Sequence, residues 1–263
     1  MSDVIVEAVS RLRTADRTKV ACAPVRDLIG DRDLDRAYAV QEATVAAWTA
    51  EGRRVVGHKI GLTSSAVRRQ LGVSEPDFGT LTDAMAYADG EPVPLHRFLQ
   101  PRIEAEVAFV LGRDLDAGPC TVADVLRATE FLLPAVEIVD SRIADWDITV
   151  ADTVADNGSA AAFVLGTTPV KPDGVVLADI GMVIEHRGEP VATGAGAACL
   201  GSPAVAVTWL ANELARRGSP LRAGQIVLSG ALGPLVPVSE PGVHRARLEA
   251  LGSVRAVFEE ETP

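Results

Sequence analysis

Three acidic residues stand in segments too apolar to hold them without a reason. Glu104 and Glu106 lie two apart in IEAEVAFVLG (103–112), and Glu137 lies in PAVEIVD (134–140). On a strand, side chains two apart share a face, their backbones separated by roughly 6–7 Å, so both carboxylates can converge on one ion. Buried without a partner such acids cost several kcal/mol or take up protons, whereas a divalent cation satisfies them. Spacing alone fits a solvated sheet face equally well. Glu137 from a neighbouring strand would complete a facial oxygen set suited to Mg²⁺ or Mn²⁺, and taken singly it fits a pair with an arginine such as Arg142 just as well. The open coordination positions of such an ion suit the vicinal oxygens of a 2-oxo acid.

Lys59, in the strand-like VVGHKIGL (55–62), has apolar and glycine neighbours. Desolvation there is expected to draw its pKa down, making it a candidate for proton transfer or for holding a carboxylate or enolate; a lysine snorkelling to the surface is the plainer reading. His58 points to the opposite face of a regular strand and is read as structural. Asp77 in EPDFG, and Asp156, Asn157 and Ser159 in VADNGSA (154–160), are loop-like groups that hold substrate oxygens or simply form turns, and composition favours turns. LSGALGP (228–234) offers Ser229, Leu232 and glycine-flanked amides able to cradle a carboxylate. It lacks the GK[ST] ending of a phosphate loop, and GAGAACLG (194–201) does not fit a dinucleotide fingerprint, so a nucleotide cofactor is disfavoured.

These residues need a frame. A chain of 263 residues can bury one large core with a smaller appendage, and 48% hydrophobic with 23% charged residues is ordinary globular composition. A formal net charge of −11 disfavours nucleic acid and anionic membrane as partners. Cys22, Cys120 and Cys199 form no CxxC pair, which argues against a disulfide framework or structural zinc. No apolar run reaches the roughly 18 residues of a membrane span, and MSDVIVEAVSRLR lacks the pattern of a signal peptide, so a cytoplasmic location is expected.

Residues 1–52 read as a helical region, with a helix over 33–52 capped by Asp33 and ended by Gly52. Residues 53–263 read as the catalytic core, the two parts making one functional unit. Strands are expected at 55–62, 103–112, 134–140, 225–232 and 253–258, with a helix starting at Thr63 and SEPDFGTLTD (74–83) as a loop. Thr121 and Asp124 open a helix expected to run through Leu133. A hairpin should turn at Arg187–Gly188, and Ser202–Pro203 should start a helix ended by Gly218. Without a regular βα rhythm the class is α+β, with a largely antiparallel or mixed sheet.

With these residues in view, the sequence resembles the 2-keto-4-pentenoate hydratase (2-hydroxypenta-2,4-dienoate hydratase) branch of the fumarylacetoacetate hydrolase superfamily. Seven ordered blocks carry the resemblance: GHKIGLTS (57–64), GVSEPDFG (72–79), PRIEAEVAFVL (101–111), PAVEIVDSRI (134–143), DTVADNGSA (152–160), TGAGAACLG (193–201) and LSGALGP (228–234). The resemblance implies a mixed β-sheet roll or barrel with an N-terminal helical region, and Mg²⁺ or Mn²⁺ bound by Glu104, Glu106 and Glu137. It places Lys59 and Asp77 in the pocket and matches Ser159 to a serine of the family's D-N-x-S block, although Gly158 and Ala160 depart from the pattern of many relatives. It further implies a hydro-lyase that converts a 2-hydroxy-2,4-dienoate to a 4-hydroxy-2-oxo acid in aromatic catabolism. Lys59, Asp77 and a water near Glu106 are then the candidates for the proton steps, and the assembly is a homo-oligomer, a pentamer or decamer. A 4-oxalocrotonate-type decarboxylase is the nearest alternative and a non-catalytic partner subunit a more distant one.

Overall fold

The structure, a computed structural model, describes residues 2–260 except 66, 67, 70–72 and 117. The chain opens with helices α1 (Asp3–Thr18), α2 (Arg26–Ile29) and α3 (Leu34–Ala50), then strands β1 (Val55–Gly61), β2 (Asp77–Thr82), β3 (Ala86–Ala88), β4 (Pro92–Pro94) and β5 (Arg102–Leu111). Helix α4 (Val122–Ala128), β6 (Thr129–Val139), α5 (Val150–Ala155), β7 (Ala160–Leu165) and the hairpin β8 (Gly181–His186) and β9 (Glu189–Ala195) follow. Helix α6 (Pro203–Arg216) and strands β10 (Ile226–Leu228), β11 (Val236–Pro237), β12 (Gly242–Leu248) and β13 (Gly252–Glu259) complete it.

Among the described residues two sheets form. The larger runs β2-β1-β10-β5-β6-β7-β3, with β11 added on β5; the smaller runs β4-β13-β12-β8-β9. The first is mixed, since β1 pairs parallel to β10 while β5 pairs antiparallel to both β10 and β6. The α+β class with a mixed sheet is therefore correct. Strand parity divides the larger sheet into two faces. Ile103, Ala105, Val107 and Phe109 of β5, with Val136 and Ile138 of β6, join the main core, which also takes in Ala246 and Val254 of the smaller sheet and Ile5, Leu12 and Ala37 of the N-terminal helices. The other face carries Ala108, Ala135, Phe163 and Leu228 in a separate apolar cluster. Glu104, Glu106 and Glu137 share the parity of that second face.

Local signals explain many of the boundaries. Asp33 accepts a hydrogen bond from the Arg36 N–H and starts α3, and Gly52 follows its end at φ +96°. The Thr121–Asp124 capping box opens α4, which ends at Ala128. The helix expected through Leu133 is thus too long. Residues 129–133 pair with β5 instead, where Phe131 and Leu132 find cross-strand partners in Val110 and Phe109. The hairpin turns at Arg187 and Gly188, both at positive φ (53° and 85°), as a two-residue turn between twisted strands requires. Pro203 begins α6, and Gly218 lies just past it at φ +78°. The helix expected from Thr63 runs across 66, 67 and 70–72, outside the described residues. The 74–83 loop is corrected as well, because 77–82 form β2, antiparallel to β1.

Candidate metal centre

The β5–β6 ladder sets Glu104 opposite Glu137 and Glu106 opposite Ala135. With Glu104 and Glu106 on one face, the three carboxylates offer oxygens that all lie within 4.8 Å of one another. Glu106 and Glu137 are fully buried and Glu104 is half-buried, so the solvated-face reading does not hold. Glu106 Oε2 accepts a 2.7 Å hydrogen bond from the Gly230 N–H, while its Oε1 has no partner. Lys59 Nζ lies 2.9 Å from Glu137 Oε1, in an ion pair whose direction departs from a hydrogen bond, and Glu137 Oε2 is also unpartnered.

Buried carboxylate oxygens without donors are uncommon. Three convergent acids, two of them with such oxygens, make a hard, all-oxygen donor set, and a divalent cation is the group that fits it. Electrostatics agree: burial, then the Glu137 charge, pushes Glu104 up to about 7, and burial with Glu137 and Glu104 drives Glu106 well above the usual carboxylate range. Arg142 does not serve Glu137. Its Nε lies 2.5 Å from Asp156 Oδ1, and its remaining nitrogens donate to the Ala160 and Asp156 carbonyls.

Lys59 is buried, and its Nζ donates a 3.0 Å hydrogen bond to the Gly158 carbonyl. The expected fall in its pKa does not appear while the three glutamates carry no cation. Burial does pull it down, but Glu137, then Glu104, Asp77 and Glu106, outweigh that pull and hold it above the ordinary lysine value. The snorkelling alternative fails too, since the side chain ends in the interior. His58, the next residue on β1, packs edge-on against Phe78 at 6.3 Å between ring centroids, and burial pushes it down to about 4. Asp77, expected in a loop, is the first residue of β2 and is buried with neither carboxylate oxygen hydrogen-bonded; burial, opposed by Lys59, leaves it pushed up to about 6.

The turn after α5 closes the site. Ser159 Oγ is buried without a partner, at φ 55°. The Asn157 amide is engaged elsewhere, accepting from the Thr80 N–H at 2.8 Å and donating to its carbonyl at 2.9 Å, so it fastens the turn to β2 rather than facing a ligand. Gly79 makes that approach possible, because a Cβ there would lie 2.2 Å from the Asn157 carbonyl oxygen. Asp156 is held by Arg142 and lies outside the carboxylate cluster. Ser229 Oγ is buried and accepts from the Val107 N–H at 3.3 Å, and the Leu232 N–H donates to the Ala105 carbonyl at 3.1 Å, so this loop is bonded to β5. Sequence reasoning foresaw amides here cradling a carboxylate, but the carboxylate is Glu106 of the chain itself. The roles of the Gly230 N–H and the Gly158 carbonyl were missed, although their glycine-rich blocks were the available signal.

A curled mixed sheet presenting three acids and a lysine on one buried face defines a class of oxygen-donor cation sites. The sequence model of the fumarylacetoacetate (FAA) hydrolase C-terminal domain matches residues 53–259, and the chain belongs to that family. It is 54% identical to the TodF product hydratase of Pseudomonas putida over 252 residues, covering 96% of this chain and 94% of that one. To the 2-keto-4-pentenoate hydratase of Paraburkholderia xenovorans it is 52% identical, with the same coverage. Among solved structures it is similar to the 4-oxalocrotonate decarboxylase of Pseudomonas putida complexed with magnesium and adipate, with a TM-score of 0.93 and 34% identity over 97% of each chain.

Proposed function

We propose that this chain is a divalent-cation-dependent hydratase that adds water to a 2-hydroxy-2,4-dienoate to give a 4-hydroxy-2-oxo acid. The observation that carries the proposal is the convergence of Glu104, Glu106 and Glu137 within 4.8 Å on a buried face, beside Lys59. The 50–52% identity to 2-keto-4-pentenoate hydratases favours hydration within the family. Glu104, Glu106 and Glu137 would hold the cation, Mg²⁺ or Mn²⁺ by the hardness of the donors. When bound, such an ion supplies Lewis-acid stabilisation of negative charge on the 2-oxygen and the neighbouring carboxylate.

The chain's own groups then divide the proton work. Lys59 Nζ is anchored by the Gly158 carbonyl and by Glu137, which holds it beside the three acids. From there its N–H groups can donate to developing oxyanions. Asp77, pushed up to about 6 and free of hydrogen bonds, can hold either protonation state near neutrality. The 2-hydroxyl loses its proton and C5 gains one, giving the 3-enoate. Water oxygen then bonds to C4 while a proton returns to C3, with Asp77 as the shuttle. Ser159, its hydroxyl unpartnered, is the polar contact available to substrate, whereas Leu232 is fully buried in the main core.

No helix among the described residues is long and apolar enough to cross a membrane. A cytoplasmic homo-oligomer, pentameric or decameric, completes the proposal, with residues 1–52 and 53–263 working as one unit; light scattering on the purified protein tests the assembly. The function is tested by supplying 2-hydroxypenta-2,4-dienoate with Mg²⁺, with Mn²⁺ or with chelator. Metal-dependent appearance of 4-hydroxy-2-oxopentanoate is expected. Unchanged hydration in chelator overturns the proposal, and so does CO₂ release from 4-oxalocrotonate without hydration of the dienoate.

A further inference from the structure

On the far side of the turn that anchors Lys59 lies a second polar cavity of about 250 Å³, between α1, α3 and the segments leading into β3 and β5. Its walls include Arg13 and Lys19 from α1, Arg53 after α3, and Arg97 before β5, with Arg142 beneath them. Five cationic side chains thus meet three carboxylates, in a chain whose formal net charge is −11.

The three carboxylates are already occupied. Asp156 is held by Arg142, Asp140 accepts from the Leu99 and Gln100 N–H groups at 2.9 and 2.7 Å, and Asp16 pairs with Lys19 at 3.0 Å. Two of the cations form no direct ion pair among the described residues, although the Arg53 charge reaches Asp16: Arg53 lies over the Trp48 ring at 5.2 Å, and Arg97 over Tyr87 at 5.5 Å while donating to its hydroxyl. The Arg53 side chain makes no hydrogen bond among the described residues, and Arg97 spends one N–H on Tyr87, so both keep N–H donors for an oxyanion. A second observation also points to a ligand. Thr44 lines the same cavity, is 6% exposed, and its hydroxyl has no hydrogen-bond partner. A lining this polar suits a polar occupant, water or an oxyanion.

We propose that this cavity is a binding site for a small oxyanion, a carboxylate or a phosphate, held by the Arg53 and Arg97 guanidinium groups and the Thr44 hydroxyl. Its volume of about 250 Å³ admits a molecule of roughly ten heavy atoms, below the usual range of pockets for larger ligands. The site is separate from the glutamate cluster and would sit behind the turn whose Gly158 carbonyl receives Lys59, since Ala155, Asp156, Asn157 and Ala160 also line it. Its existence does not depend on the hydratase reading.

The test is isothermal titration of the full-length protein with inorganic phosphate and, separately, with succinate, at constant ionic strength against sodium chloride. Saturable one-site binding is expected for at least one probe, and which probe binds tells phosphate from carboxylate. Arg53→Gln should weaken it at least tenfold, with Arg97→Gln as the independent second variant, while hydration of the dienoate continues at the wild-type rate. Heat no different from chloride for both probes would overturn the proposal, and so would equal affinity in the wild type and both variants.

Discussion

Replacing Glu104 by glutamine should make the metal-free protein more stable while weakening its hold on a cation. Glu104 stands at about 7 against an ordinary 4.5, first because it is buried and then because Glu137 faces it across the ladder. At about 1.4 kcal/mol per pH unit, the ionised carboxylate disfavours the fold by roughly 3 kcal/mol, and water reaching its half-buried side chain trims this toward roughly 2. The sign follows from linkage: the folded pKa exceeds the unfolded one, so the penalty is absent below pH 4.5, grows as pH rises, and is complete above about 7. Lys59 keeps Glu137 at 2.9 Å in the variant, so it is not left without a partner. A chain of this size changes Tm by about 2–4 °C per kcal/mol, so Glu104→Gln should melt roughly 4–8 °C above the wild type at pH 8 in chelator. At pH 4.5 the two should coincide, and excess Mg²⁺ at pH 8 should stabilise the wild type more than the variant. Differential scanning calorimetry under these three conditions is the assay. A lower Tm for the variant at pH 8 in chelator, or the same gain at pH 4.5, would refute the claim that like-charged burial is what the cation relieves.

Asp77→Asn should lower kcat by about 10²–10⁴ with little change in substrate KM, and should remove the rise in rate through pH 6 that a steady-state pH profile shows for the wild type. Gly230→Ala would bring a Cβ to 2.4 Å from Thr63 Cγ2 at a backbone φ of +101° and displace the N–H that holds Glu106; titration with Mn²⁺ should show about 10–100-fold weaker binding. His58 and His244 are each pushed down to about 4, His58 by burial and His244 by burial and then by His186. The unfolded chain therefore takes up protons first, and stability is lost as pH falls from 6.5 toward 4. Urea midpoints at pH 7 and pH 5 should show a smaller drop for His58→Gln than for the wild type, and equal drops would contradict the assignment.

The chemistry was legible where local pattern and burial coincide. Glu104 and Glu106 announced a shared strand face, and the apolar run around Glu137 marked its strand; what spacing left open was whether that face met solvent. The ladder register and the second apolar cluster answer that, and both depend on pairings more than twenty residues apart. Asp33, the Thr121 box, Arg187–Gly188 and Ser202–Pro203 were readable because capping and turn chemistry is local. β2 was not, since all six of its residues are buried and the Asp-Phe-Gly-Thr segment shows no alternation. β12 did carry a signal, with His244, Ala246 and Leu248 inward and Val243, Arg245 and Arg247 outward, and it was passed over.

The charge around Lys59 was hidden from the sequence for the same reason. Desolvation can be judged from neighbours in sequence, but the acids that overturn it come from β2, β5 and β6. Asn157 was equally opaque, because nothing near it in the chain names Thr80 as its partner.

The central claim is that Glu104, Glu106 and Glu137 form one cation site. Crystals grown with Mn²⁺ and measured for anomalous scattering test it most directly. The account predicts a single strong peak about 2.1–2.3 Å from an oxygen of each of the three glutamates, lost in Glu106→Gln. A peak ligated elsewhere, or no peak between these carboxylates at saturating Mn²⁺, would contradict it.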